Sequence, residues 1–241
     1  MILPSYLIQL GYESIPIVKE LNSRSFDEKD EHIDLVRPWS DLRNVFEYLS
    51  CVEYARRQIL ELPKGKAIGS VDIIPARYHS ASLVFFCQAA LDNLAVWLNS
   101  SHRCGLKGTN VSFYKNEIKK SLSDIDKDYV ALLDKHNKFI HRLNSYRMEW
   151  LHRLAGGAEL YSDKNPADLE ANISIQIPID PQIPSLRGDP KEYLNRIRKV
   201  QRENKGRWLV PIEHFANEIA EETKNLILGL LEISSTVIKK A

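Results

Sequence analysis

The chain is poor in cysteine and balanced in charge, and each of these excludes something. Its 241 residues hold three cysteines, Cys51, Cys87 and Cys104. The number is odd and no CxxC pair occurs, which argues against a disulfide framework and against a zinc site of the finger or ribbon type, and fits a reducing cytoplasm. Thirty-three basic residues against 32 acidic ones leave a formal charge of +1. A global basic field of the kind that draws in nucleic acid is therefore absent, and any such contact must be a local patch. Long apolar runs are also lacking. The most apolar stretch, residues 83–98, is broken by Gln88, Asp92 and Asn93, so no membrane span is expected. Met1-Ile2-Leu3-Pro4 has no cationic flank before an apolar core, so no secretory leader is expected. Internal repeats and low-complexity tracts are missing too.

What is present is helical patterning. The expected fold class is mainly α, an antiparallel helical bundle with a small β-hairpin-like insertion. Residues 1–241 are read as one domain: an N-terminal extension over 1–37, a helical core over 40–160 and 211–238, and a strand and basic-helix insertion over 171–210. Ser40 is placed to cap a helix with Leu42, Val45, Phe46, Leu49, Val52, Ile59 and Leu60 at helical spacing. Pro75 opens a second, through Asn99, whose apolar surface includes Tyr78, Phe85, Phe86, Ala89, Ala90, Leu94, Trp97 and Leu98. A short polar helix is expected near 113–121 and a longer one over 126–142. Asn144 or Ser145 would then cap the next, closed by Gly156-Gly157. Ile173, Ile175 and Ile177 alternate as in a half-buried strand, with Trp208-Leu209-Val210 as a partner. Asp189-Pro190-Lys191-Glu192 has the form of a capping box, and Pro211 opens a final helix.

The chemistry-bearing stretch is Arg147-Met148-Glu149-Trp150-Leu151-His152. A phosphodiester in RNA is cleaved by its own 2′-hydroxyl when one group moves protons and another neutralises the phosphorane-like transition state. Histidine titrates near neutrality, and arginine stays charged with forked donors for phosphate oxygens, so the pair needs no metal. Spacing alone is weak evidence: with seven histidines, about one Arg-x(4–6)-His match arises by chance. A second match, Arg207 to His214, is interrupted by Pro211 and read as accidental. Five helical residues turn through about 500°, leaving the two side chains about 140° apart around the axis. They converge if Arg147 swings across from the first turn, or if two protomers face each other across a two-fold seam. Arg147 in a first turn would also add to the exposed N–H groups that favour anions there.

These helices, the Arg147–His152 pair after the 126–142 helix, and Leu91-Asp92-Asn93-Leu94 within the central apolar helix resemble the HEPN superfamily over roughly residues 40–160 and the last helix. The resemblance implies a homodimer with both motifs in a shared cleft, and a metal-independent endoribonuclease of RNA-processing or toxin type. Met148 departs from it, since active members commonly carry Asn, Asp or His directly after the arginine. Asn144 and Glu149 are the candidates to supply the missing polar group, although Glu149 has Arg153 at i,i+4 as a surface partner. Lys138, Arg142 and Arg153 are expected to attract RNA.

The best basic segment runs from Lys191 to Arg207 and includes Arg196, Arg198, Lys199 and Arg202. It reads as an RNA-gripping helix or as a solvated charged face. No metal and no cofactor are expected, because His136 and His141 are five apart rather than the four that aligns two imidazoles. Asp124, Asp126 and Asp128 lack the glycine and glutamate of a calcium loop and are expected to cap a helix. Two other readings stand beside the ribonuclease: a non-catalytic dimer that binds a nucleotide or an antitoxin-like protein partner, and an unrelated helical scaffold.

Overall fold

The computed structural model describes the backbone of residues 33–63, 73–153, 158–161, 172–176 and 209–240, and the side chains of 42–63, 73–148 and 210–237. The described residues are mainly helical, in six α-helices. These are α1 (Ile33–Leu60), α2 (Ile73–Ser101), α3 (Asn116–Ile125), α4 (Lys127–Lys135), α5 (Asn137–Arg153) and α6 (Ile212–Lys240). Three short strands, β1 (Ala158–Tyr161), β2 (Asn172–Gln176) and β3 (Leu209–Pro211), pair antiparallel in the order β1-β2-β3. Ile175 stands opposite Val210 and Ser174 opposite Pro211. Most of the extension expected over 1–37, and the capping box and basic helix at 189–204, lie outside the described residues.

Burial follows the helical period. Leu42, Val45, Phe46, Leu49, Val52, Ala55 and Ile59 of α1 are buried. The helix starts seven residues before Ser40, at Ile33, and continues through Pro38. A proline there removes one bond of the amide ladder without ending the helix. On α2, Ala76, Leu83, Val84, Cys87, Leu91, Leu94 and Leu98 form the inner face. Of the residues assigned to its apolar surface, Tyr78 and Phe85 are not packed inward: Ile74, Tyr78, Phe85 and Val96 are 69%, 69%, 47% and 37% exposed. The helix buries one face, and its surplus apolar residues emerge on the other side. By length and composition α2 could also cross a membrane; more than half of its most apolar stretch is buried inside the protein, as in the core helix of a globular domain.

The chain divides into two compact units, one of residues 1–51, 89–140 and 221–241, the other of 52–88 and 141–220. Helices α1, α2, α5 and α6 each contribute a segment to both.

In the first unit, α2 ends in a turn where Gly105 and Gly108 take φ of 73° and 57°, a region closed to most L-residues. Asn99 ties the turn back, accepting from the Leu106 amide at 3.0 Å and donating to its carbonyl at 3.2 Å. Asp126 caps α4 through the Asp128 amide at 3.0 Å, as the spacing of the three aspartates suggests. In the second unit, Arg56 donates to Asn217 at 2.8 Å, and Tyr146 meets Phe215 edge to face at 5.0 Å between ring centres. These contacts fasten α1 and α5 to α6.

Candidate functional site

Three expectations about the stretch carrying Arg147 are corrected by the structure. The helix expected to run from 126 to 142 breaks at His136, which has φ −95° and ψ 8°. Asn144 and Ser145 do not cap a new helix; they lie inside α5, which begins at Asn137. Arg147 is accordingly ten residues from the N-terminus of α5, and the exposed amides of a first turn are not available to it. The cause is tertiary. Phe139, Ile140, Leu143 and Tyr146 are all buried, and their spacing holds one continuous helical face inward across the point where Asn and Ser favour a cap. The Ser145 hydroxyl instead donates to the His141 carbonyl one turn back, at 2.8 Å.

Arg147 is half-buried, and among the described residues its guanidinium has no hydrogen bond or ion pair. It lies at the margin of the buried face, within about 40° of Leu143 around the axis. Position 152 lies about 140° away from Arg147 on the same helix, on the side of Ser145 and the exposed His141 and Met148. The side chains of His152, Glu149 and Arg153 are outside the described residues. One copy of α5 therefore does not bring positions 147 and 152 to one stripe. Asn144 is half-buried and Lys138 exposed.

Arg142 departs from its expected role. Its terminal nitrogen donates to Glu218 at 2.7 Å, and its Nε is buried without a partner among the described residues. A guanidinium committed to a carboxylate on α6 is a fastening within the second unit rather than an open phosphate contact. Arg196, Arg198, Lys199 and Arg202 lie outside the described residues.

Two polar clusters in the first unit carry no sequence signature. His102 Nε2 stands 2.8 Å from the Tyr129 hydroxyl, which donates to Ser234 Oγ at 2.8 Å, and Ser234 donates to the Leu230 carbonyl at 2.7 Å. The last acceptor fixes the direction: since Tyr129 spends its proton on Ser234, Nε2 of His102 must be the protonated nitrogen of a neutral ring. Burial pushes the His102 pKa below the ordinary 6.5 and raises that of Tyr129 to about 12, against the opposing pull of the Ser234 hydrogen bond. The second cluster spans the break before α5. His136 Nδ1 is 2.9 Å from Glu222 Oε2, and Lys119 reaches Asp134 at 3.3 Å and Asn137 at 3.0 Å. Tyr129 and Ser234 sit on otherwise apolar helix faces, but His102 and His136 lie in turns and their partners are distant in sequence, so no local pattern joins either cluster. Among the described residues no group of three His, Cys, Asp or Glu converges as a metal site would require.

Compared with known protein families, curated proteins and solved structures, the chain matches none.

Proposed function

We propose that this protein is a metal-independent endoribonuclease of HEPN type, in which Arg147 neutralises the scissile phosphate and His152 transfers protons. The observation that carries the reading is the guanidinium of Arg147: half-buried, charged, and without a partner among the described residues. A partly desolvated charge is unfavourable until an anion meets it. The same helix bears His152, the one side chain type whose ordinary pKa suits both halves of acid–base catalysis near neutrality. Because positions 147 and 152 are about 140° apart on α5, the reading calls for two protomers, each offering one residue of a composite pair. Lys138 and Arg153 draw in the RNA, with Asn144 and Glu149 beside the pair. The setting is cytoplasmic, in RNA processing or in a toxin controlled by an antitoxin-like protein.

The expected result is cleavage of RNA that persists in excess chelator. Arg147→Ala and His152→Ala should each slow it by about a hundredfold or more, with helical content unchanged. Undiminished cleavage by the folded double variant would falsify the mechanism.

Exposed Met148 favours a second reading, a dimer that binds a nucleotide through Arg147 without turnover, since an apolar side chain there supplies no polar group to the reaction. That reading predicts nucleotide-dependent thermal stabilisation, reduced by Arg147→Ala, and no cleavage.

A further inference from the structure

Between positions 103 and 120 the chain carries five basic residues, Arg103, Lys107, Lys115, Lys119 and Lys120, against one acidic residue, Glu117. The whole stretch belongs to the first unit. Lys119 is committed, to Asp134 at 3.3 Å and to Asn137 at 3.0 Å. The other four are exposed, and among the described residues their side chains have no hydrogen bond or ion pair. In a chain of formal charge +1 this is a local basic surface of the kind that an even balance leaves open. Its backbone is fixed at several points. Asn99 holds Leu106 through both amide and carbonyl, Lys107 opens the 3-10 turn Gly108–Asn110, which packs on α3, and the Lys115 amide closes a turn onto the Ser112 carbonyl at 2.9 Å.

Arg103 is the informative member. It has φ 52°, in the left-handed region, and among the described residues no other non-glycine residue has positive φ. The position closes the end of α2, where the Cys104 amide reaches back to the Asn99 carbonyl at 3.0 Å. Glycine or asparagine fits there with less strain. The arginine therefore costs the fold something, and residues kept in such conformations gather where a chain meets a ligand.

We propose that residues 103–120 bind the phosphate backbone of a single-stranded nucleic acid, with Arg103, Lys107, Lys115 and Lys120 pairing with phosphates and Tyr114 offering its ring to a base. Each cation that meets a phosphate releases a counterion, which is the main source of affinity in such contacts. Exposed Thr109, Asn110 and Asn116 add neutral donors for the same oxygens. Tyr114 is half-buried and stands next to Lys115, and an aromatic ring beside a basic track is how proteins hold unpaired bases. An anionic membrane is a poorer partner. The large apolar residues of the stretch, Leu106, Val111, Phe113 and Ile118, are half-buried or buried, so no exposed one is left to enter lipid. An acidic peptide would engage the cations but leave the ring unused. The proposal rests on none of the chemistry assigned to Arg147 and His152, which belong to the second unit.

Fluorescence anisotropy of the full chain with a labelled oligothymidylate tests binding by itself, because a strand without 2′-hydroxyls is not cleaved by the route proposed above. The logarithm of the affinity should fall with the logarithm of salt concentration with a slope of about −3, as four phosphate contacts at about 0.7 each require. Lys107→Glu combined with Lys115→Glu should weaken binding on the order of tenfold or more and reduce the slope by about 1.4. Arg103→Gly separates binding from folding: it should weaken binding severalfold without lowering the melting temperature, since glycine relieves the left-handed backbone. Tyr114→Ala should weaken binding about fivefold or more, and Tyr114→Phe, which keeps the ring, less than about twofold. Lys127→Glu, a reversal of the same sign among Asp124, Asp126 and Asp128, should change it less than about twofold. No binding at low salt, binding indifferent to the double reversal, or Lys127→Glu as damaging as that double reversal would each overturn the proposal. So would displacement of the strand by oligoglutamate as readily as by unlabelled oligothymidylate, or retention on phosphatidylserine vesicles without binding of the strand. Loss of RNA cleavage with strand binding intact would count against the ribonuclease and leave this surface standing.

Discussion

At the scale of single residues, the chain from His102 through Tyr129 to Ser234 ties stability to pH on both sides of neutrality. The folded state holds His102 neutral, with a pKa below the ordinary 6.5, so the unfolded chain binds more protons below that value. Its contribution is fully present above pH 6.5 and is lost as pH falls toward the depressed folded value. Tyr129 acts at the other end: its folded pKa is raised from 10 to about 12, so stability is lost as pH rises through that interval. Urea unfolding from about pH 5 to about pH 11 should give a dome, and His102→Gln should flatten its acid side. Tyr129→Phe should cost about 1–3 kcal/mol, because it leaves the protonated nitrogen of His102 without its acceptor. None of this was visible in the sequence, where the three residues lie far apart and His102 falls in the turn after α2. Arg147 was legible as a candidate. That Arg142 is held by Glu218 was not, because the partner comes from a helix over seventy positions away.

At the scale of elements, helical periodicity located α1, α2 and α6 but misplaced the division between α4 and α5, where local preference competes with burial. Asn144 and Ser145 have the side chains of a cap, but buried Phe139, Ile140 and Leu143 before them and buried Tyr146 after them keep α5 continuous. The structure therefore reverses the sign of a substitution. If Ser145 capped a helix, Ser145→Ala would cost about 1 kcal/mol; inside α5 it should be neutral or stabilising by up to about 0.5 kcal/mol. Asp126→Ala, at an actual cap, should cost about 1 kcal/mol by the same denaturation measurement. The packing of α4 on α6 gives a second test. A methyl group at Gly229 would stand 2.6 Å from Leu132 Cδ2. Gly229→Ala alone should forfeit the gain of about 1 kcal/mol expected from helix propensity, and should recover it in a Leu132→Ala background, a non-additivity diagnostic of direct contact.

At the scale of the whole molecule, composition argued against a disulfide scaffold and periodicity pointed to helices, and the described residues are mainly helical. What composition could not disclose was which apolar residues would be surplus to the core, since α2 is apolar on nearly every side and only its neighbours decide which side is covered. Tyr78 and Phe85 were read as ordinary members of that surface, and their exposure became informative only beside buried Leu83 and Cys87.

The division into two units has a bearing on how the protein comes to be folded. Neither unit is a continuous stretch of chain, and both draw on residues beyond 211, through α6. Buried Phe215 and Ile219 belong to one and Leu226 and Leu230 to the other. During synthesis neither can close its interior until α6 has left the ribosome, so the growing polypeptide must carry uncovered apolar surface up to that point, and a nascent chain stalled before residue 212 should be held by chaperones rather than protected from proteases.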